Sequence, residues 1–390
     1  MKTVHRLIAI LASVLMLYLG TTGSLMQIID LHALLTHTPE SDPTMQSINE
    51  GINGQFDYAV LTERDYTAAA LPEGLNFAKA LSTVLRASHK YAPNIQPRLV
   101  ELRVVDGAVV GQVSTGTNID AFNAGTGEPV AAVNIRPPYV PPPSLRETVK
   151  DFHRFWFTND VPGVWAELGC GVILWALIIT GLVTYFRLLS ARAQLGRRQF
   201  FWLSGGLWRG LHRAVAVAAA VFLIAIAASG SLLGFEGTWR AAANPRPVDA
   251  SAPLSDEQVQ QMARAALNAF RREEPQTPIK VLRLRVYGTM KQGVVVVGSE
   301  PTRQLAYNTD TGKLAGLTEP GYPSGGFPFG RDVHQAIKHF HSGYMFGLTA
   351  RWMDLFGGLS LIFLSGSGIF MYFDLWLKRT KTGRRSVFWL

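Results

Sequence analysis

Four histidines in this chain have the residue type and the spacing to form a site. His5 and His212 each begin a long apolar stretch, 207 positions apart, and each is followed by an arginine. His153 and His341, each preceded by a phenylalanine, lie just before two further apolar stretches. Ionisable side chains are costly at membrane depth, so their recurrence there suggests a site. Ligation of one metal centre by two histidines requires two imidazoles that face each other at the same depth.

A different role is open to any single histidine of this kind, because an imidazole at the end of a membrane span can bond lipid headgroups. The recurrence favours a site instead, with His5 and His212 at one depth and His153 and His341 at the other. His339 lies on another helical face from His341. The equivalence with His153 favours His341 as the ligand, with His339 in reserve. The remaining histidines have no histidine counterpart, and we interpret them as surface residues: His32, His37, His89 and His334.

Four apolar stretches must position these histidines. Each is long enough to cross a hydrocarbon core of about 30 Å, which needs about 20 apolar residues. They comprise residues 7–28, 163–186, 212–235 and 349–373. The amphipathic segments 145–158 and 331–346 precede the second and fourth stretches and predict interfacial helices that carry His153 and His341.

The distribution of charge predicts the orientation of the spans. Residues 1–6, 187–213 and 375–390 hold thirteen lysines and arginines and no acidic residue, whereas residues 29–162 and 236–348 hold 23 basic and 25 acidic residues. By the positive-inside rule, both termini and the central loop lie in the cytoplasm and both long inserts lie outside. The net charge of +9 therefore indicates contact with the lipid bilayer and not with nucleic acid.

The predicted domain order follows from these two observations. It is a cytoplasmic N-terminus (1–6), a first span (7–28), a first outer domain (29–162), a second span (163–186), a basic loop (187–211), a third span (212–235), a second outer domain (236–348), a fourth span (349–373) and a basic tail (374–390). Residues 1–28 begin like a cleavable signal peptide, but their counterpart at 212–235 is internal. We therefore expect the first span to be retained.

Each insert has the pattern of a helix followed by short strands. In the first, the predicted helix is 77–91 and the predicted strands are 99–105, 109–114 and 118–123. In the second, they are 256–272 and 281–287, 293–299 and 304–308. Both sets of strands end on the pattern aromatic-Asn-x-x-Thr-Gly, at 122–127 and 307–312. Proline-rich segments at 137–143 and 320–328 predict stiff linkers, or aromatic walls of a ligand groove.

A helix followed by a small antiparallel sheet that closes on this turn resembles a PepSY domain. Two such domains between helices that begin with His-Arg resemble the PepSY-associated transmembrane proteins, over nearly the whole chain. Within that family the chain is similar to bacterial inner-membrane siderophore reductases of the ferrioxamine type. The resemblance implies a membrane α-helical fold of four spans in two duplicated halves, each with a periplasmic α+β insert. It also implies b-type haem and an oxidoreductase that reduces a ferric siderophore and releases ferrous iron.

On this interpretation the histidine pairs predict two haems, with His5, His212, His153 and His341 as the axial ligands of the haem iron. Three arginines each follow a candidate ligand and would pair with haem propionates: Arg6, Arg154 and Arg213. Binding of lipid phosphates is the alternative, and it is at least as well supported for Arg6 and Arg213 on the inner face.

The sequence also restricts where the electrons can come from. It contains no Gly-x-Gly-x-x-Gly fingerprint, no P-loop and no Cys-x-x-Cys-His attachment motif. The cytoplasmic loops are too short for a flavin or nicotinamide domain, so we expect a separate donor, either cytoplasmic or a quinol.

Two other functions stay open: a non-catalytic PepSY membrane protein that binds or regulates a periplasmic partner, and a transport component that passes the intact chelate.

Overall fold

The computed structural model describes residues 2–53, 61, 63–93, 96–115, 119–131, 144–156, 161–197, 199–202, 206–243, 252–298, 302–316 and 326–383. The linker predicted at 137–143 and most of that at 320–328 lie outside these residues. The chain forms two compact units. Unit 1 comprises Met1–His37, Pro143–Asn244 and Val333–Leu390, and unit 2 comprises Thr38–Pro142 and Pro245–Asp332.

The helices are, in chain order, α1 (Lys2–Leu35), α2 (Pro43–Asn53), α3 (Glu63–Thr67), α4 (Phe77–Tyr91), α5 (Leu145–His153), α6 (Val161–Gln194), α7 (Leu207–Ala218), α8 (Ala220–Ala243), α9 (Asp256–Glu273), α10 (Arg331–His341) and α11 (Gly347–Thr380). The strands are β1 (Leu99–Val105), β2 (Ala108–Ser114), β3 (Ile119–Asn123), β4 (Pro129–Val130), β5 (Ile279–Tyr287), β6 (Met290–Val297), β7 (Arg303–Asn308) and β8 (Lys313–Leu314). The predicted helices 77–91 and 256–272 and the six predicted strands occur with shifts of up to three residues at their ends. The helices predicted at 145–158 and 331–346 also occur, but each ends five residues earlier, at His153 and His341.

Unit 1 is a helical bundle. Within the described part of the chain, four helices are long and apolar enough to cross a membrane: Thr3–Leu35, Pro162–Gln194, Ala220–Ala243 and Tyr344–Thr380. At most a third of the residues in the most apolar part of each span are buried inside the protein, as expected for side chains that face lipid. Helix α1 packs along α11, and α6 packs along α8.

Small residues bring these helix pairs close together. A Cβ added at Gly358 of α11 would lie 2.4 Å from the Ser24 hydroxyl of α1, and one added at Gly20 would lie 3.2 Å from the Gly358 carbonyl. A Cβ added at Gly234 of α8 would lie 2.9 Å from the backbone nitrogen of Leu168 in α6. This is close packing through small residues, which replaces the hydrophobic effect as the source of helix association in lipid.

The apolar stretch predicted at 212–235 is divided between two helices, since α7 ends at Ala218 and α8 begins at Ala220. The charged residues of α7, Arg209 and Arg213, lie in its first two turns, and residues 214–219 are apolar. Backbone hydrogen bonds from Ala219 to Val215 and from Leu223 to Ala219 nonetheless join α7 to α8. His212 therefore lies on the helix that leads into the span.

Unit 2 contains one continuous antiparallel sheet, in the order β4-β3-β2-β1-β5-β6-β7-β8. Strands from the two inserts meet where β1 pairs with β5, so both inserts contribute four neighbouring strands to the same sheet. The sequence patterns predicted the strands within each insert. They did not predict that the two sets would join.

Helices α4 and α9 cover one face of this sheet and enclose the largest apolar core, which includes Val84, Leu102, Phe270 and Leu284. Glycine permits their close approach. A Cβ added at Gly111 of β2 would lie 2.2 Å from the Val84 side chain, and one added at Gly293 of β6 would lie 2.4 Å from that of Ala266. The opposite face carries the buried charged side chains of Glu101, Arg103 and Arg283, and Asp65 of α3 pairs with the two arginines there.

Candidate functional site

Each of the four predicted histidine ligands bonds a hydroxyl group on a neighbouring helix of unit 1. The distances between Nδ1 and the hydroxyl oxygen are 2.9 Å for His5 and Thr180, 2.9 Å for His153 and Thr22, 2.8 Å for His212 and Ser367, and 2.9 Å for His341 and Ser229. The same contact thus occurs four times, and each instance joins a different pair of helices.

The hydroxyl groups determine which nitrogen of each ring carries the proton. Thr180 donates its hydroxyl hydrogen to the Ala176 carbonyl at 2.6 Å, and Thr22 donates to the Tyr18 carbonyl at 2.9 Å. Ser229 and Ser367 donate in the same way to carbonyls of their own helices. Since the hydroxyl hydrogen is used, the oxygen accepts from Nδ1–H. The lone pair of each imidazole therefore resides on Nε2, the nitrogen left for a metal.

A glycine follows each of these hydroxyl residues, at Gly23, Gly181, Gly230 and Gly368. A Cβ added at the first three would lie 3.3, 3.3 and 3.2 Å from Cε1 of His153, His5 and His341, respectively. At the fourth, the nearest such contact is the Ser13 hydroxyl at 3.9 Å. Three of the four imidazoles therefore lie against bare helix backbone, and any side chain larger than glycine there would press on the ring.

The histidines also interact in the predicted pairs. Burial, together with the nearby charges of His341 and Arg154, lowers the pKa of His153 to about 3. Burial lowers the pKa of His341 to about 4. Both rings are therefore neutral at pH 7, which is the protonation state of a metal ligand. His5 and His212 are close enough to each other to interact electrostatically.

His339 has a different environment from His341. Its ring contacts that of Tyr344 edge-to-face, with 5.1 Å between the ring centroids. The fold thus brings His341, and not His339, to the Ser229 hydroxyl. This placement favours His341 as the ligand, in line with its equivalence to His153.

The three arginines predicted near the ligands occupy different surroundings. Arg154 forms an ion pair with Glu167 at 3.4 Å, and its guanidinium lies 3.5 Å over the Trp156 ring. Arg213 donates to the Trp202 carbonyl at 2.9 Å and lies 4.8 Å over the Trp202 ring. Arg6 is half-buried on α1, directly after His5.

One histidine that we interpreted as a surface residue is not one. His334 of α10 is largely buried, and its Nδ1–H donates to Glu236 Oε2 at 2.8 Å. The prediction was wrong because it required a histidine in the other half of the chain, whereas the aligned residue there is Arg146, which also bonds a buried acid. His32 and His37 are exposed, as predicted.

Sequence reasoning missed the four hydroxyl residues that orient the histidines. A signal for them exists, because a Ser/Thr-Gly dipeptide recurs at aligned places in the spans: Thr22-Gly23 with Ser229-Gly230, and Thr180-Gly181 with Ser367-Gly368.

Two histidine nitrogens per site suit a metal whose other coordination positions are already filled. Among the described residues, no group of three or more His, Cys, Asp or Glu side chains lies close enough to hold a metal ion. Two imidazoles per site are too few for a bare ion. They are sufficient for haem iron, whose four equatorial positions are filled by the porphyrin.

A comparison with known families matches residues 2–375 of the chain to the family described as PepSY-associated TM region. No curated protein sequence matches the chain.

Proposed function

Because the chain belongs to the PepSY-associated TM region family, we propose that it is a haem-containing membrane oxidoreductase that reduces a ferric siderophore and releases ferrous iron. The observation that carries the proposal is the fourfold contact between a histidine Nδ1 and a span hydroxyl. It leaves four Nε2 lone pairs in two neighbouring pairs, which is the arrangement for two haems with two histidine ligands each.

The proposed ligand sets follow the electrostatic neighbours. His5 and His212 would hold one haem, and His153 and His341 the other. Bound haem would supply a one-electron carrier at each of the two depths. The hydroxyl groups of Thr180, Ser367, Thr22 and Ser229 would keep each ring in the correct tautomer and rotation. Arg6, Arg154 and Arg213 follow three of the ligands in the sequence and are the candidates to neutralise propionates.

The substrate class agrees with the residues of the chain. A hydroxamate siderophore holds ferric iron far more tightly than ferrous iron, so one-electron reduction releases the metal and leaves the chelator intact. That reaction needs neither a nucleophile nor a general acid or base beside the iron, and the sequence contains no motif for either. A separate donor, cytoplasmic or a quinol, would supply the electron.

We also propose the topology that this reaction requires. The chain would lie in a bacterial inner membrane with both termini in the cytoplasm, and both inserts would lie in the periplasm, where the siderophore arrives. The two halves would derive from a duplication. The charge asymmetry of the loops supports the orientation, and the aligned Ser/Thr-Gly dipeptides support the duplication.

Rapid mixing of the protein with substrate tests the proposal. The purified protein is reduced with dithionite, freed of excess reductant and mixed with a ferric hydroxamate siderophore in the presence of a ferrous-specific chelator. We expect the visible spectrum to show reoxidation of the haems. One ferrous complex should form for each electron that the protein loses. His153→Ala should lose this activity, and His339→Ala should keep it. Reoxidation no faster than in buffer would reject the reductase and favour a regulatory PepSY protein.

A further inference from the structure

A buried acid–base pair lies beside the His153–His341 pair and has no part in the function proposed above. Glu236 of α8 is fully buried, with 0% of its surface exposed. Its Oε2 accepts a hydrogen bond from His334 Nδ1 of α10 at 2.8 Å. Its Oε1 has no hydrogen-bond partner within the described part of the chain. A buried carboxylate with an open acceptor position can accept a second hydrogen bond.

The pair is rigidly connected to His341. His334 and His341 are seven residues apart on α10, and they share one helical face because seven residues make two turns. Ser229 and Glu236 are also seven residues apart on α8. Helices α8 and α10 are therefore joined twice, once by Ser229 with His341 and once by Glu236 with His334. At 1.5 Å of rise per residue, the two contacts are about 10 Å apart.

The other half of the bundle has the same two contacts, but with a permanent charge. Helix α5 is joined to α1 by His153 with Thr22, and again by Arg146, seven residues earlier, with Asp30. Arg146 Nε lies 2.6 Å from Asp30 Oδ1, and Arg351 Nη1 lies 2.5 Å from Oδ2 of the same carboxylate. Arginine does not lose its proton in proteins. Histidine gains and loses one near neutral pH.

The charges around His334 make its protonation sensitive to a further charge added nearby. Burial lowers the pKa of His334, Glu236 raises it, and Lys338 of α10 and Arg240 of α8 lower it, so that the pKa lies below its ordinary value. Lys338 thus acts on the imidazole from its own helix, and Glu236 and Arg240 act on it from α8. At pH 7 the ring is then mostly neutral, and an added negative charge nearby would favour its protonation.

We propose that Glu236 and His334 are the proton-uptake site of the His153–His341 redox centre, an inference that rests on the proposed function. When that centre gains one electron from the donor, neutral His334 takes one proton from water and becomes an imidazolium that stays bonded to the Glu236 carboxylate. One electron and one proton enter together, and both leave together when the electron passes to the ferric siderophore. No bond other than one N–H forms or breaks in the protein.

Redox titration of the haem-loaded protein in lipid nanodiscs from about pH 5 to about pH 8 tests this coupling. The centre is identified as the spectral component that His153→Ala removes. In the wild type we expect its midpoint potential to fall as pH rises, with a slope that approaches 59 mV per tenfold change in proton concentration. His334→Arg copies the permanent pair of the other half and should reduce this slope by at least half. Should that variant fail to fold, His334→Gln should do the same.

The matched control is Arg146→Lys, which keeps a permanent charge at the aligned position and should retain the wild-type slope. An equal loss of slope in Arg146→Lys would overturn the assignment, because it would indicate general loosening of the bundle. A wild-type potential that does not vary with pH, or an unchanged slope in His334→Arg, would also overturn it and leave the reductase intact. Protein that binds no haem would overturn both the coupling and the proposed function.

Discussion

Glu101 lies directly opposite Arg283 where strand β1 of the first insert pairs with strand β5 of the second. Each residue is four positions before the last residue of its strand, and both are completely buried. The two positions are therefore equivalent in the two inserts and face each other. Like charges there would repel at the centre of the sheet, and the two inserts instead carry opposite charges at these equivalent positions.

Removal of one of these charges should destabilise the sheet. Glu101 bonds both Arg103 and Arg283, and Glu101→Gln leaves Asp65 as the acid that pairs with these two buried arginines among the described residues. Breaking a buried ion pair from one side typically costs about 3–5 kcal/mol. We expect a loss of this order in the free energy of unfolding of the detergent-solubilised protein, measured by denaturant titration. Asp310→Asn breaks an exposed pair with Lys291 and should change stability by less than about 1 kcal/mol. Equal effects of the two variants would contradict this account.

Haem stoichiometry should report the two histidine pairs separately. The wild-type protein should bind two non-covalent b-type haems in a pyridine haemochrome assay. His212→Ala should lose one haem or convert it to high spin, since it removes an axial ligand, and should leave the other unchanged. His339→Ala is the control and should keep both haems, because that ring packs on Tyr344. Intact spectra of both haems in His5→Ala and in His212→Ala would show that this pair binds no haem.

Loss of a single hydroxyl should weaken haem binding without removal of a ligand. Thr22→Val abolishes the acceptor for His153 Nδ1–H. Substitution of a residue that orients a metal ligand commonly costs about 10–100-fold in affinity. We therefore expect faster transfer of one haem to an apo-globin acceptor, by about that factor. Thr22→Ser keeps the hydroxyl and should behave like the wild type. The same rate in all three proteins would refute an orienting role.

An added methyl group should displace one imidazole. In Gly230→Ala the new Cβ would lie 3.2 Å from Cε1 of His341, so either the ring or the helix must move by a few tenths of an ångström. We expect a high-spin fraction in the visible spectrum of one haem. Gly366→Ala is the control in the fourth span, since an added Cβ there meets nothing within 4 Å. An unperturbed low-spin spectrum in Gly230→Ala would mean that the ring does not rest on this glycine when haem is bound.

Periodicity and composition predicted much of the architecture. The four apolar stretches, the amphipathic helix at 77–91 and the first strand at 99–105 occur where local patterns predicted them. These patterns are local: burial of one helical face, alternation in a strand and an uninterrupted apolar run each depend on neighbouring residues. These patterns did not predict the break between α7 and α8 at Ala219, inside the third stretch.

The candidate site, too, was predicted only in part from the sequence. The sequence by itself determined which histidines recur and at which ends of the spans, because recurrence is visible in the order of residues. Only the tertiary structure decided that each Nδ1 meets a hydroxyl on another helix, that His341 and not His339 faces Ser229, and that His334 contacts the buried Glu236. It also decided that β1 pairs with β5. All of these contacts join residues more than 90 positions apart, and their formation depends on how helices and strands pack together, which no local pattern encodes.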